Sequence, residues 1–263
     1  MVLPRLRLFE LNDSPWAPAP LRDTVIEALS RSLRWGRMMR GLVDPFEAFL
    51  AAAGTREVLD IASGAGGPAR ILVTEIQRAG RVAPRFVLTD LRPQIAAWEE
   101  ASARFPGVIS FEREPVDATQ IPASMSDGRA RLIINAFHHL PPDLAASILH
   151  DAAARRAPIF LSESFERGPL GFAPMIPAGL LALALNPLLS PRDRLAKAWL
   201  TWATPLALLG SAWDGLVSTM RVYDRADLEA MVAPFGGDFT WTYGNYAFPL
   251  GGRGYYFHGV PRR

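Results

Sequence analysis

Between residues 55 and 166 the chain alternates between two kinds of segment. Short apolar runs, "REVLDIA", "PRFVLTD", "VISFEREPVDA", "ARLIINAF" and "PIFLSESF", are β-rich; "PARILVTEIQRAG", "QIAAWEEASARF" and "PDLAASILHDAAARR", which lie between them, are helical. This alternation constrains the fold more than any other feature. Strands that alternate with helices form βαβ units, and βαβ units build a parallel sheet. A sheet of that kind binds ligands beyond the carboxyl ends of its strands. At 263 residues, 49% of them hydrophobic, the chain has enough apolar surface for a full core.

Charge and cysteine content narrow the classes of partner. Net charge is +2, and the basic residues are arginines apart from Lys197. That balance lacks the excess of a dedicated nucleic-acid binder, so nucleic acid is not expected as a partner. The absence of cysteine excludes disulfides, thiolate metal sites and cysteine nucleophiles. The four histidines do not form a spaced ligand set with carboxylates, so no metal is expected. The opening "MVLPRLRLFELNDSPW" has scattered charges and no apolar segment, unlike a secretory signal. The expected location is the cytoplasm, or the inner face of a membrane if the apolar runs described below touch one.

Residues 58–70, "VLDIASGAGGPAR", hold three glycines in four positions just where the first strand ends. Glycine is costly to order, so such a cluster marks a sharp bend or a close approach of backbone to something else. Three readings are open: a bare β–α turn, a dinucleotide fingerprint through Gly64, Gly66 and Ala69, or a loop for S-adenosylmethionine. The third rests on a resemblance. An acid followed by small residues at alternate positions, here Asp60, Ala62, Gly64 and Gly66, resembles the first motif of class I S-adenosylmethionine-dependent methyltransferases. Ala62 stands where that family usually has glycine.

Three further stretches share the resemblance, with quinone-methyltransferase-like motifs. "FVLTDLRP" ends a strand in Asp90, "VDATQIP" carries Asp117, and "LIINAFHHLPP" carries Asn135 to His139. The resemblance covers residues 55–166 and, loosely, the closing strands. It implies a Rossmann-like α/β sheet, mostly parallel with the last strand antiparallel, and S-adenosyl-L-methionine as cofactor. By the same resemblance Asp60, Ala62, Ser63, Gly64 and Gly66 line the cofactor. Asp90 would accept from its ribose hydroxyls, Asp117 would accept from its adenine amino group with Ala118 packed nearby, Asn135 would lie at the junction of cofactor and substrate, and Leu91 and Ala136 would also line the cofactor. Each acid also has a plainer reading, Asp90 as a helix N-cap and Asp117 as a turn residue.

A sulfonium-bound methyl group is already activated, so a protein that transfers it must mainly orient the acceptor. A general base is needed only for a protonated hydroxyl or amine. His138, His139 and Glu163 are the candidates, with packed histidines and a surface carboxylate as the alternative reading. By the same resemblance Phe137 would sit at the junction with substrate.

Outside the alternating region the chain reads differently. "PAPLRDTVIEALSRSLRWGRMMRG" is helical, and "DPFEAFLAAAG" is a short helix with Asp44 as N-cap and Gly54 as its stop. Residues 168–191 and 198–213 contain no charge and flank "RDRLAK". They read as a helical lid over an apolar substrate, or as a helical pair that dips into one leaflet with Leu180, Leu181, Leu183 and Leu185 facing lipid. In that second reading the charges of "RDRLAK" stay in water or headgroups. Asp214, Arg221 and Tyr223 follow and could orient a substrate's polar end, or belong to capped helices and ion pairs. The expected organisation is an N-terminal helical cap (1–54), the cofactor-binding core (55–167), the apolar insertion (168–220) and a C-terminal helix with closing strands (221–263). The expected function is methyl transfer to a hydrophobic small molecule or lipid, at oxygen, nitrogen or carbon. The alternatives are a non-methylating enzyme that uses the same cofactor, a cyclase or decarboxylase, and a non-enzymatic membrane-associated protein on the same scaffold.

Overall fold

Every apolar run of the alternating region becomes a strand in the computed structural model, which describes residues 4–6, 8–14 and 16–262. Part of the opening stretch judged for a signal segment therefore lies outside the described residues. The strands are β1 (Glu57–Asp60), β2 (Arg85–Leu88), β3 (Ile109–Phe111), β4 (Ala130–Ile134), β5 (Ile159–Glu163), β6 (Phe239–Phe248) and β7 (Gly252–Pro261). They form one seven-stranded sheet in the order β3-β2-β1-β4-β5-β7-β6. The pairs β1–β2, β1–β4, β2–β3 and β4–β5 are parallel, and β7 runs antiparallel to β5. This is the expected Rossmann-like sheet, mostly parallel with an antiparallel last strand.

The helices in chain order are α1 (Ala19–Trp35), α2 (Val43–Ala53), α3 (Gly67–Arg78), α4 (Ile95–Arg104), α5 (Ala123–Ser126) and α6 (Pro142–Ala154). There follow α7 (Ile176–Leu189), α8 (Arg194–Ala198), α9 (Leu206–Arg221) and α10 (Arg225–Val232). All residues of β4 and β5 are buried, as central parallel strands covered on both faces must be. Asp60 pairs in register with Leu88 on one side and Leu132 on the other, so the exits of β1, β2 and β4 open at one end of the sheet.

The chain divides into two compact units. One holds residues 39–164, 223–247 and 254–263 and carries most of the sheet; the other holds 1–38, 165–222 and 248–253. Helix α2, grouped by sequence with an N-terminal cap, belongs to the sheet unit. The rings of Phe46 and Phe49 each lie 5.2 Å from Phe160 on β5, which ties the helix there. Asp44 is not its N-cap. A 3₁₀ turn at Arg40–Leu42 feeds straight into α2, leaving Leu42 at the cap position and Asp44 inside the first turn. Gly54 ends the helix as expected. Asp224 caps α10 through a reciprocal pair with Asp227.

The second unit is helical. Ala28, Ala182, Leu183, Leu200 and Ala207 form its buried cluster, so small side chains let α1, α7 and α9 approach closely. Leu183 therefore faces inward, against the expectation that it faces lipid. The "RDRLAK" turn is also corrected. From Arg194 onward it is α8, and Lys197 is buried rather than exposed to water or headgroups. The reason is a partner: Lys197 Nζ donates to Glu27 Oε1 on α1 at 2.8 Å and to Ser190 Oγ at 2.5 Å. The second uncharged run is not one helix. It continues from α8 as a π-helical segment, Trp199–Ala203, and restarts as α9 after Pro205. Among the described residues no helix is long and apolar enough to cross a membrane.

Candidate functional site

The glycine loop turns directly out of β1 into α3. Gly64 and Gly66 both adopt positive φ, +52° and +74°, a region that side chains other than glycine seldom enter. The two glycines differ in what surrounds them. A Cβ on Gly64 would meet nothing within 4 Å, whereas one on Gly66 would lie 2.9 Å from Leu88 Cδ1 and 3.4 Å from Trp98 Cδ1. Gly66 is therefore small for packing, and Gly64 is small at an open face.

The exits of β1 and β2 are bonded together. Ser63 N–H donates to the Thr89 carbonyl and Thr89 N–H to Ser63 Oγ, both at 3.1 Å. Asp90 Oδ2 accepts the Gly64 N–H at 2.9 Å, while its Oδ1 accepts from Arg92 N–H at 2.9 Å. The exit of β3 joins them, since Val116 N–H donates to the Asp90 carbonyl at 3.0 Å. Asp60, Ala62, Ser63, Gly64, Gly66, Asp90 and Asp117 are thus held on three adjoining loops. Leu91, beside Asp90, is 61% exposed and offers an apolar surface next to a carboxylate. Asp117 is exposed, and its Oδ1 accepts from the Thr119 N–H and hydroxyl at 2.8 and 2.7 Å. That is the turn geometry of its plainer reading, and it leaves Oδ2 to other donors. Ala118 and Ala136 are half-buried.

Asp60 differs from the other acids. Its carboxyl is buried, and burial pushes it up to about 7. The Ser63 hydroxyl and Ala62 N–H oppose that shift, and the nearby charge of Asp90 adds to it.

At the exit of β4, Asn135 takes positive φ, +53°. Its Nδ2 donates to Ser164 Oγ at 3.0 Å and its Oδ1 accepts the Ser164 N–H at 2.7 Å. The amide clamps the ends of β4 and β5 together. Two residues further on, a 3₁₀ turn at Phe137–His139 presents the histidines. Glu163, the last residue of β5, holds His138 at two points. Its Oε1 accepts the His138 backbone N–H at 3.0 Å, and its Oε2 lies 2.9 Å from Nδ1. Both residues are buried, at 3% and 0% exposure. With Nδ1 protonated toward the carboxylate, Nε2 is the basic nitrogen of the ring. His139 stacks on His138 with centroids 4.1 Å apart. The structure thus brings together all three candidate catalytic residues.

The remaining candidates are placed as follows. Phe137 is buried, with its ring 5.4 Å from that of Tyr223. Tyr223 is buried as well, and its hydroxyl donates to the Leu140 carbonyl at 2.7 Å, which pins the turn that carries the histidines. Asp214 and Arg221 belong to the helical unit and hold its N-terminal segment. Asp214 accepts the N–H groups of Leu11 and Asn12 at 2.7 and 3.1 Å, and burial raises its carboxyl despite them. Arg221 pairs with Asp13 at 2.9 Å and Glu10 at 3.1 Å.

Three residues of this region do not stand out in the sequence. Trp98 is fully buried and its indole N–H donates to the Gly64 carbonyl at 2.8 Å, which fixes the loop from behind. The signal for it is a single large ring in the small-residue helix "IAAWEEASAR". Ser164 and Tyr246 complete the surroundings of Glu163, and burial pushes the Tyr246 phenol up to about 12.

No family model matches the sequence, and no curated protein matches it. Solved structures are similar in fold. The methyltransferase domain of bacterial CtHen1-CN is 11% identical, with a TM-score of 0.49 over 85% of this chain and 99% of that one. Magnesium protoporphyrin IX methyltransferase from Synechocystis PCC 6803, solved with bound SAM, is 13% identical, with a TM-score of 0.46 over 95% of this chain and 100% of that one. OxaC, solved with SAH and oxaline, is 16% identical, with a TM-score of 0.49 over 82% of this chain and 46% of that one.

Proposed function

We propose that this protein methylates a hydroxyl or amine of an apolar small molecule or lipid, with S-adenosylmethionine as the methyl donor. The observation that carries the proposal is the two-point grip of Glu163 on His138. A buried carboxylate that fixes both the backbone and the ring of one histidine orients a base, and orientation is what the reaction asks of the protein.

The loops at the sheet's end fit the donor. Gly64 leaves open space at an exposed backbone turn, Asp90 offers a carboxylate to two vicinal hydroxyls, and Leu91 offers an apolar face for a purine. When bound, S-adenosylmethionine supplies a methyl group on a positively charged sulfonium. Asp60, Ala62, Ser63, Gly64, Gly66, Asp90, Leu91, Asp117, Ala118, Asn135 and Ala136 are the residues proposed to line it. His138 Nε2 takes the acceptor's proton, and Glu163 stabilises the imidazolium that results. An apolar acceptor is supported by the uncharged runs of the sequence, 168–191 and 198–213.

The test is incubation with methyl-labelled S-adenosylmethionine and an apolar extract of the native host. The proposal expects label in an apolar product and an equal amount of S-adenosylhomocysteine. Consumption of S-adenosylmethionine without S-adenosylhomocysteine would point instead to the non-methylating alternative.

A further inference from the structure

The helical unit distributes polarity in reverse. Its lysine, Lys197, is buried against Glu27, and Arg221 is buried with Glu10, while Asp13 pairs with Arg221 from an exposed position. Between residues 176 and 216 its exposed positions are apolar outside the turn 192–194. On α7 the exposed residues recur at helical spacing, at Ile176, Leu180, Leu181, Ala184 and Leu188. Leu195, Trp199 and Trp202 continue on α8 and the π-helical segment, then Leu206, Leu209 and Leu216 on α9. Every exposed position between 198 and 213 is an apolar residue. Single exposed leucines are ordinary on a protein surface, but three successive helical stripes whose only polar side-chain groups are two indole N–H groups are not.

From this reversal we infer that the outer face of the α7–α9 region docks in the plane of an anionic lipid leaflet, inserting shallowly without crossing. Three observations favour lipid over a second copy of the chain. Protein interfaces carry about one hydrogen bond per 100–200 Å². The exposed side chains of these stripes have almost no group to make one, and Trp202, which has an indole N–H, already donates it to the Ala184 carbonyl at 3.0 Å. Leu195 is 88% exposed, a protruding side chain that acyl chains accommodate and a facing protein could take only with a matching recess. The exposed turn just before that leucine, Arg192-Asp193-Arg194, carries a net positive charge at the border of the apolar face, which complements anionic headgroups. The inference concerns the helical unit alone and does not depend on the methyl-transfer proposal.

The experiment is flotation of the full-length protein with vesicles of phosphatidylcholine, with and without phosphatidylglycerol. Wild type is compared with Leu195→Glu/Trp199→Glu and with Arg192→Ser/Arg194→Ser. All four substituted positions are exposed, so circular dichroism is expected to be unchanged. Wild type floats with the anionic vesicles, and the Leu195→Glu/Trp199→Glu variant partitions at least about tenfold less. The arginine variant loses the preference for anionic over neutral vesicles. Wild type that stays with the unbound fraction overturns the inference, as does equal flotation of wild type and the Leu195→Glu/Trp199→Glu variant. So does a lipid-free wild-type dimer that ignores vesicles and that the same double substitution separates.

Discussion

The carboxylate of Asp90 accepts the backbone N–H of Gly64 at 2.9 Å, so the acid at the end of β2 and the open glycine after β1 form one surface. Asp90→Ala removes that acceptor. Gly64 is exposed, and water can replace the lost bond there, so fold stability is expected to fall by less than about 1 kcal/mol. A bound ligand that covers Asp90 excludes that water, so ribose hydroxyls that lose their acceptor have no such substitute. S-adenosylmethionine affinity is expected to drop about ten- to a hundredfold by calorimetric titration, a cost of about 1–3 kcal/mol. Unchanged affinity would remove Asp90 from the site.

The two loop glycines separate binding from stability. Gly64→Val strains a +52° φ but meets no neighbour, so the protein stays folded and loses S-adenosylmethionine binding. Gly66→Val strains a +74° φ and also pushes into Leu88 and Trp98, so it destabilises by about 2 kcal/mol or more. Thermal unfolding and ligand titration on both variants check this. Equal stability losses would contradict the assignment.

Glu163→Gln leaves one oxygen to serve two donors, the His138 N–H and Nδ1. The expected result is a fall in kcat of about 10²–10⁴-fold with cofactor affinity kept. His138→Gln should cost about the same, and the double variant little more, because the pair acts as one unit. Additive losses in the double-mutant cycle would mean that Glu163 does not work through His138.

Stability against pH holds two opposed contributions. The Asp60 carboxyl is raised from 3.8 to about 7, so between those values the folded state holds a proton that the unfolded chain has released. Its contribution falls as pH rises through that window, by on the order of 4 kcal/mol. The half-buried ring of His258, against Phe49 and Phe160, is lowered from 6.5 to about 4 by partial burial, so the unfolded chain binds the proton first. Its contribution is complete above pH 6.5 and is lost as pH falls toward 4, by ~2 kcal/mol after allowance for partial exposure. Asp60→Asn is therefore expected to gain stability over wild type at pH 8 and not at pH 4. His258→Phe is expected to gain at pH 4 and not at pH 8. Urea unfolding at both values tests the signs, and a gain at the other pH would reverse them.

The sheet and the strand exits that hold the candidate site were legible from sequence because both depend on local patterns. Apolar runs bounded by glycine, proline and acids fall at strand exits whatever packs around them, and Asp60, Asp90, Asn135, His138 and Glu163 all lie at such exits. What escaped depends on partners distant in sequence. Trp98 reaches Gly64 from 34 residues away, and Lys197 is drawn inward by Glu27, 170 residues before it. The facing of α7 escaped for the same reason, since a helix that is apolar all round carries no stripe to orient it. The Arg40–Leu42 turn hid the true start of α2 because a 3₁₀ lead-in has no side-chain cap to announce it.

The loops after β1 and β2 are proposed to hold S-adenosylmethionine. The deciding measurement is calorimetric titration of S-adenosylhomocysteine and S-adenosylmethionine into the wild-type protein, with NAD as a control dinucleotide. One saturable site is expected for each of the two adenosyl ligands and none for NAD. Binding of NAD with no heat from either adenosyl ligand would contradict it and return the loop to the dinucleotide reading of Gly64, Gly66 and Ala69.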